Sequence, residues 1–410
     1  MRGKLLFIFS WRYFKAKKST QAVNIISWVS VFAMLFGSAS LIIILSAFNG
    51  FETLVKSLYA SFYTDIRISA AAGKVMHISE QQLQQLKAIH AIAAYSQSIE
   101  EKAVVQFESA QQVVVIKGVD DAYVHTSGVP SKLIRGKFSV GTESSPSVVM
   151  GIGVEQALGL MADRSIFPVT LYLPKKSSEK KLLQPLDALS VATAYPRAVF
   201  SIQSDFDNKY VLTNISFLRS FMNYQQDEIT FLEIKAKPHT DIAALKLQLN
   251  AIFDKDYKIE DRFEQNRTLY TTIRLEKLAI YGIFLLILIV AAFNMIGSLS
   301  MLVLEKQRDI QILKSMGATD FLIQKIFLLE GILLSVIGSI GGVSLAIFVC
   351  YLQTTFKLIP LQGASFLIDY YPIEWRLQDV AIVAATVIAI GLIASWIPAR
   401  KAALQQLSLR

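Results

Sequence analysis

Residues 305–331 read EKQRDIQILKSMGATDFLIQKIFLLEG and join two long apolar segments through a tight, charged step. Residues 305–316 carry good helix formers and neither Gly nor Pro, which predicts a helix of about three turns. Gly317 stands where a helix C-cap belongs, and Thr319 or Asp320 can cap the helix that follows. Three turns cannot cross a bilayer, whose core takes about 20 helical residues. The apolar side chains of Ile310, Ile312, Leu313 and Met316 exceed what a solvated connector needs. Chemistry alone leaves two readings open. The helix either lies on the headgroups, or docks in a groove of a cytoplasmic partner and passes force to the spans beside it.

The rest of the chain bears on that choice. Of 410 residues, 53% are hydrophobic, and the mean hydropathy of +0.44 is too high for an ordinary soluble chain. Charged residues at 18% still leave room for a sizeable soluble domain. The net charge of +9 is concentrated in three places: residues 1–22 (Arg2, Lys4, Arg12, Lys15, Lys17 and Lys18, with no acid), residues 305–325, and Arg400, Lys401 and Arg410. All three flank apolar spans, as the positive-inside rule requires, so the charge argues against a nucleic-acid partner. The single cysteine, Cys350, excludes an intrachain disulfide. His77, His90, His125 and His239 have no metal-ligand spacing, and no metal site is expected.

In chain order, residues 1–22 fit a cytoplasmic amphipathic segment with basic anchors, and residues 23–48 a first transmembrane helix. Residues 49–275 change to soluble character. Alternating or β-rich runs at 65–70, 113–118, 148–153, 169–173, 199–203 and 229–236 predict strands. Ser79 can cap a helix over 80–89, and Thr240 one through 253. Strands and helices interleaved in this way predict a large α+β extracytoplasmic domain. Within it, residues 174–196 hold Lys175, Lys176, Lys180 and Lys181 and little periodicity, which fits either a surface loop or a projecting arm for a partner.

Residues 262–277 read as a helix continuous with the second span, 276–304, where Asn294 is placed as a helix–helix contact. The segment 305–320 is the short helix and its turn. A third span covers 321–352, with Gly338 and Gly342 at GxxxG spacing for packing within the subunit or across a dimer. Its one acid, Glu330, is a functional candidate, or it snorkels or pairs with Lys325 or Lys306. A short outer loop, 353–377, precedes the fourth span, 378–397, and a tail, 398–410. The fold class is therefore a membrane α-helical protein with four transmembrane helices and the α+β domain inserted between spans one and two. Both termini and the 305–320 segment are expected inside the cell.

The chain has no GxxxxGK[ST], GxSxG, HExxH or CxxC. It is expected to be non-catalytic, and the energy for any work to arrive from a partner.

Residues 293–319, FNMIGSLSMLVLEKQRDIQILKSMGAT, closely resemble the signature of the permease subunits of lipoprotein-releasing ABC transporters, the LolC/LolE family of the MacB/FtsX permease superfamily. The resemblance continues at SAFNGFE (46–52), VVMGIGVEQALGL (148–160), DYYPIEWRLQDV (369–380) and SWIPARKAA (395–403). It implies a permease in the bacterial inner membrane, paired with a second permease subunit, identical or related, above ABC ATPase subunits. Those ATPases, not this chain, would bind ATP and Mg. Glu305, Lys306, Asp309, Ile310, Leu313, Lys314, Met316 and Gly317 would then form the coupling helix, with Ile310, Leu313, Lys314 and Met316 against the ATPase. Lipoprotein substrates would leave the outer leaflet of the membrane lipids through a cavity lined by members of 31–48 and 281–298, and pass to a periplasmic lipoprotein carrier. Residues 174–196 occupy the place of the carrier-recruiting hook, with Tyr195, Pro196 and Arg197 as its contacts. Two relatives within the superfamily give alternatives: a MacB-like efflux permease for drugs, peptides or toxins, and an FtsX-like transmitter that regulates cell-wall hydrolysis.

Overall fold

The computed structural model describes residues 21–174, 189–361, 368 and 370–405. The amphipathic segment expected before residue 21 lies outside them. The described chain divides into a helical unit (21–54, 271–361 and 370–405) and an α+β unit (55–270).

Four helices are long and apolar enough to cross a membrane: α1 (Gln21–Phe62), α4 (Arg267–Glu305), α6 (Asp320–Phe356) and α7 (Leu377–Ala403). The short helix between α4 and α6 is α5, Gln307–Ser315. Gly317, at φ +91°, ends it in a left-handed cap. There the Ala318 N–H donates to Leu313 O at 2.9 Å and the Gly317 N–H to Lys314 O at 3.0 Å, the two bonds of a Schellman motif. Thr319, not Asp320, caps α6, its hydroxyl accepting from the Leu322 N–H. The helix expected to run unbroken from residue 262 into the second span is interrupted. A short helix, Arg262–Gln265, ends at Asn266, whose φ −134° and ψ 50° leave helical space before α4 begins.

The GxxxG face of α6 packs on α1 of the same chain. A Cβ on Gly338 would sit 2.7 Å from Met34 Cβ, and one on Gly342 2.6 Å from the Leu35 carbonyl. Only glycine lets the two backbones come so close.

The α+β unit is built on β1 (Ile66–Ala70), β2 (Met76–His77), β3 (Ile92–Phe107), β4 (Ala110–Val119), β5 (Leu133–Gly136), β6 (Ser147–Gly151), β7 (Val169–Pro174), β8 (Leu189–Phe200), β9 (Tyr210–Asn214), β10 (Glu228–Ile229), β11 (Phe231–Ala236) and β12 (Tyr257–Asp261). Ten of these form one mixed sheet in the order β12-β1-β11-β3-β4-β9-β6-β8-β5, with β7 on β3 and β8; β2 and β10 pair separately. Helices α2 (Glu80–Ala88) and α3 (Ile242–Ile252) belong to this unit. Ser79 caps α2 in a capping box with Gln82. Asp241 caps α3 in place of the expected Thr240, its carboxylate accepting from the Ala243 and Ala244 N–H groups. One sheet face buries Ile66, Ile68, Val114, Ile116 and Leu171.

The other face holds a buried cation. Lys117 of β4 is 1% exposed, with Nζ 2.7 Å from Glu233 and 3.0 Å from Glu100. The Phe62 and Tyr123 rings lie over it, their centroids 5.3 and 5.4 Å away. Burial alone would depress the ammonium pKa, but the two carboxylates lift it well above the ordinary lysine value.

Candidate functional site

Helix α5 divides its side chains between two faces. Ile310 is 1% exposed and belongs to the core of the helical unit. Lys314 turns the same way: its ammonium donates to the carbonyls of Ala403 and Gln405, both at 2.7 Å, and pairs with Asp320 at 2.8 Å. A cation on the last carbonyls of α7 is the favoured partner for that end of a helix. Ile310 and Lys314, expected against an ATPase, are both turned into the chain's own bundle. Leu313 is half-buried. Lys306 pairs with Asp309 at 3.2 Å, and Glu305 is the half-buried last residue of α4.

The outward stripe is Arg308, Ile312 and Met316, four residues apart and all exposed, with Ile312 at 58% and Met316 at 78%. Periodicity shows which residues share a face, but apolar groups stand on both faces here, so the sequence does not say which is outward. Arg308 and Ile312 were not among the expected contacts.

A second feature lies between α1 and α4. Ala33, Phe36, Gly37 and Ser40 on α1 face Phe284, Ile287, Val290 and Asn294 on α4 across a groove of about 380 Å³. It falls inside the two segments that the resemblance singled out. Phe36 is the last rung of an aromatic ladder on α1, with ring centroids 5.8 Å apart for Trp28–Phe32 and 6.2 Å for Phe32–Phe36. Asn294, expected as a helix–helix contact, has an exposed side chain lining this groove, and its backbone carbonyl accepts from the Ser30 hydroxyl of α1 at 3.4 Å. Glu330 does not snorkel. It is buried on the α6 stripe with Phe327, Leu334 and Gly338.

Of the expected carrier-binding loop, residues 175–188 lie outside the described residues. Tyr195, Pro196 and Arg197 are not loop residues but members of β8, where Tyr195 pairs with Ser147 and Pro196 with Val148 of β6. Pro196 is buried, while Tyr195 and Arg197 are exposed on the same side of β8 as Val191. A cross-strand row, Val113–Val104–Tyr172–Val191, runs over β4, β3, β7 and β8, with both end valines exposed. Among the described residues no three His, Cys, Asp or Glu side chains gather to hold a metal ion.

Comparison with known proteins gives these features a context. Residues 27–252 match the MacB-like periplasmic core domain, and residues 281–407 the FtsX-like permease C-terminal region. The chain is 26% identical to the lipoprotein-releasing system transmembrane protein LolE of Haemophilus influenzae, covering 97% of this chain and 96% of that protein. It is 25% identical to the corresponding LolC of Neisseria meningitidis, over 96% of each. The periplasmic region of MacB from Actinobacillus actinomycetemcomitans aligns with 53% of this chain and 98% of its own, at a TM-score of 0.37 and 12% identity. A multi-pass chain whose first half matches the MacB-like core domain and whose second half matches the FtsX-like permease region belongs to the MacB/FtsX permease superfamily, with its full-length likeness to LolC and LolE.

Proposed function

We propose that this chain is the permease subunit of an ATP-driven transporter that extracts lipoproteins from the outer leaflet of the inner membrane and hands them to a periplasmic carrier. The observation that carries this reading is the apolar groove between α1 and α4, in a chain similar to LolE and LolC over nearly its whole length. Acyl chains are held in a bilayer by roughly 0.8 kcal/mol per buried CH₂, so their removal calls for an apolar receptor and an external energy source. The groove offers the receptor. The energy would come from ATP and Mg on separate ATPase subunits docked against Arg308, Ile312 and Met316. In this reading the α+β unit is periplasmic, inserted between spans one and two, both termini are cytoplasmic, and a second permease subunit completes the cavity. The sheet face bearing Tyr172, Val191, Tyr195 and Arg197 is the surface offered to the carrier.

The test is reconstitution of the chain and its ATPase in liposomes holding a labelled triacylated lipoprotein, with soluble carrier outside. ATP-dependent transfer to the carrier is expected. Intact hydrolysis with no transfer would sink the reading, and transport of a drug or peptide instead would assign the chain to efflux.

The docking face has its own prediction. Ile312→Asp and Met316→Asp should each reduce co-purification of the ATPase at least tenfold, the equivalent of about 1.4 kcal/mol. Gln311→Ala, on a half-buried flank of α5, should have little effect. Full ATPase recovery with both aspartates would remove α5 from the interface.

A further inference from the structure

Helices α1, α6 and α7 form a block joined by close backbone approach. Gly338 and Gly342 seat α6 on α1, and α6 meets α7 where Ser395 crowds Gly331 and Ser335 crowds Gly391. Helix α4 buries Leu288, Met295 and Leu299 in the same core, with Met295 Cε reaching the Gly331 position of α6, but its own Gly282 and Gly297 face open space and Gly37 of α1 meets Leu288 only at an ordinary 3.5 Å. In a bilayer, helices gain little from hydrophobic association, so close packing and interhelical hydrogen bonds decide which wall is fixed. The groove thus has one wall built into the block by close backbone approach and one, α4, held by side-chain packing and polar contacts.

The polar contacts include a network of four side chains, a ring of Lys277, Asn49 and Asp379 that Tyr281 joins at Asp379. Lys277 Nζ of α4 donates to Asn49 Oδ1 at 2.8 Å, and Asn49 Nδ2 donates to Asp379 Oδ2 at 2.6 Å. The Tyr281 hydroxyl of α4 donates to Asp379 Oδ1 at 2.9 Å, and Lys277 stands 4.0 Å from Asp379 Oδ2. Asn49 is fully buried and Asp379 is 8% exposed. Both carboxylate oxygens are satisfied, and such a network in a low-dielectric site holds geometry more firmly than apolar contact does. Arg376, 3.1 Å from Glu374 and 3.7 Å from Glu52, adds an ion-paired cation close by in sequence at the start of α7.

We propose that this ring is a clasp that sets the width of the groove, with Asn49 and Asp379 as positioning residues that act through Lys277 and Tyr281 on α4. Cargo then enters only as the clasp parts. The inference rests on the groove being the cargo entrance, but its test requires no cargo.

Spin labels at Ser40 and Ile287, on either side of the groove, would be introduced in a Cys350→Ser background and measured in the full chain in lipid nanodiscs. A control pair at Phe32 and Ile340 would span the α1–α6 seam. Tyr281→Phe, which removes one hydrogen bond and little volume, and Asp379→Ala should each shift the groove pair to longer and broader distances. The control pair should not move. Asp379→Asn, which still accepts from Tyr281, should give an intermediate shift. A groove distance unchanged in both Tyr281→Phe and Asp379→Ala would overturn the clasp, and so would equal shifts in both pairs, since that marks general loosening. Loss of lipoprotein transfer in the unaltered chain, with the groove pair responding as expected, would remove the transport reading and leave the clasp standing.

Discussion

Lys117→Ala is expected to destabilise the α+β unit by roughly 3–5 kcal/mol, the usual cost of breaking a buried ion pair from one side. The change strands two carboxylates: Glu233, with 3% of its side chain exposed, and Glu100, with 15%. It also removes the cation beneath the Phe62 and Tyr123 rings. Hydrogen exchange at the β4 and β11 amides, followed through a urea series, reads the effect directly, and unchanged protection would mean that the triad does not hold the sheet. Lys117→Met combined with Glu233→Leu and Glu100→Leu should recover most of the loss, because a buried ionic cluster replaced whole by apolar groups is often neutral or better. The pH dependence has a definite sign. A folded pKa raised above the unfolded one gives stability that is complete below the ordinary lysine range and is lost as pH rises through the higher folded value. The Lys117 contribution should therefore stay flat through neutral pH and fall only under strongly alkaline conditions.

Gly50→Ala should have the largest effect in the helical unit. Ala is favoured over Gly in a helix by about 1 kcal/mol, so the substitution would normally stabilise α1. Here the added Cβ would stand 2.8 Å from the Ile373 nitrogen and closer still to the Pro372 carbonyl. Both are backbone atoms, so neither can turn aside. Overpacking of about 1–3 kcal/mol should outweigh the propensity gain. The two stretches that meet here, 46–52 and 369–380, are also joined by the Glu374 N–H donating to Ser46 O at 2.9 Å and by Phe51 stacking on Tyr371. The readout is the thermal midpoint and the yield of monodisperse full chain in detergent. Gly37→Ala, whose Cβ would make ordinary contact with Leu288 at 3.5 Å, is the control, expected neutral or stabilising. Equal behaviour of the two variants would contradict the close approach at Gly50.

The contrast between legible and illegible features follows from what a local pattern can carry. Four spans stand out in hydropathy because the bilayer demands about 20 apolar residues in a row. Ser79 and Gly317 are readable because capping is a bargain struck within a few residues. By contrast, β3 has 16 residues, Ile92–Phe107, and no alternation marked it. Glu100, Glu101 and Lys102 interrupt its centre, and only the distant Lys117 explains why an acid can stay there. The same limit applies to the functional features. The 305–320 stretch announced a helix with more apolar surface than a connector needs, but the partner of Lys314 is the end of α7, far along the chain. Asn294 was read by its depth in a span, and its direction around the helix depends on a neighbour that the local sequence does not name. Asn49 and Asp379 lie in the stretches 46–52 and 369–380 that carry the resemblance, and Tyr281 at the edge of 281–298, but nothing local says that they meet each other and Lys277, since they come from three separate helices.

The position of β1 in the sheet has a consequence for biosynthesis. Ile66 and Ile68 are fully buried, and their strand pairs only with β11 and β12, so that Ile66 lies opposite Ile234 and Asp261. Closing so long a loop is slow, and until it closes β1 presents two unpaired edges. A nascent chain that has not yet reached Phe231 cannot complete the sheet, however long the first span has been in place. The last strand ends at Asp261 and α4 begins at Arg267, so the sheet has all its strands only when synthesis has reached the edge of α4. Arrest just before residue 231 should leave a protease-sensitive nascent chain, and arrest after α4 has emerged should leave a resistant one.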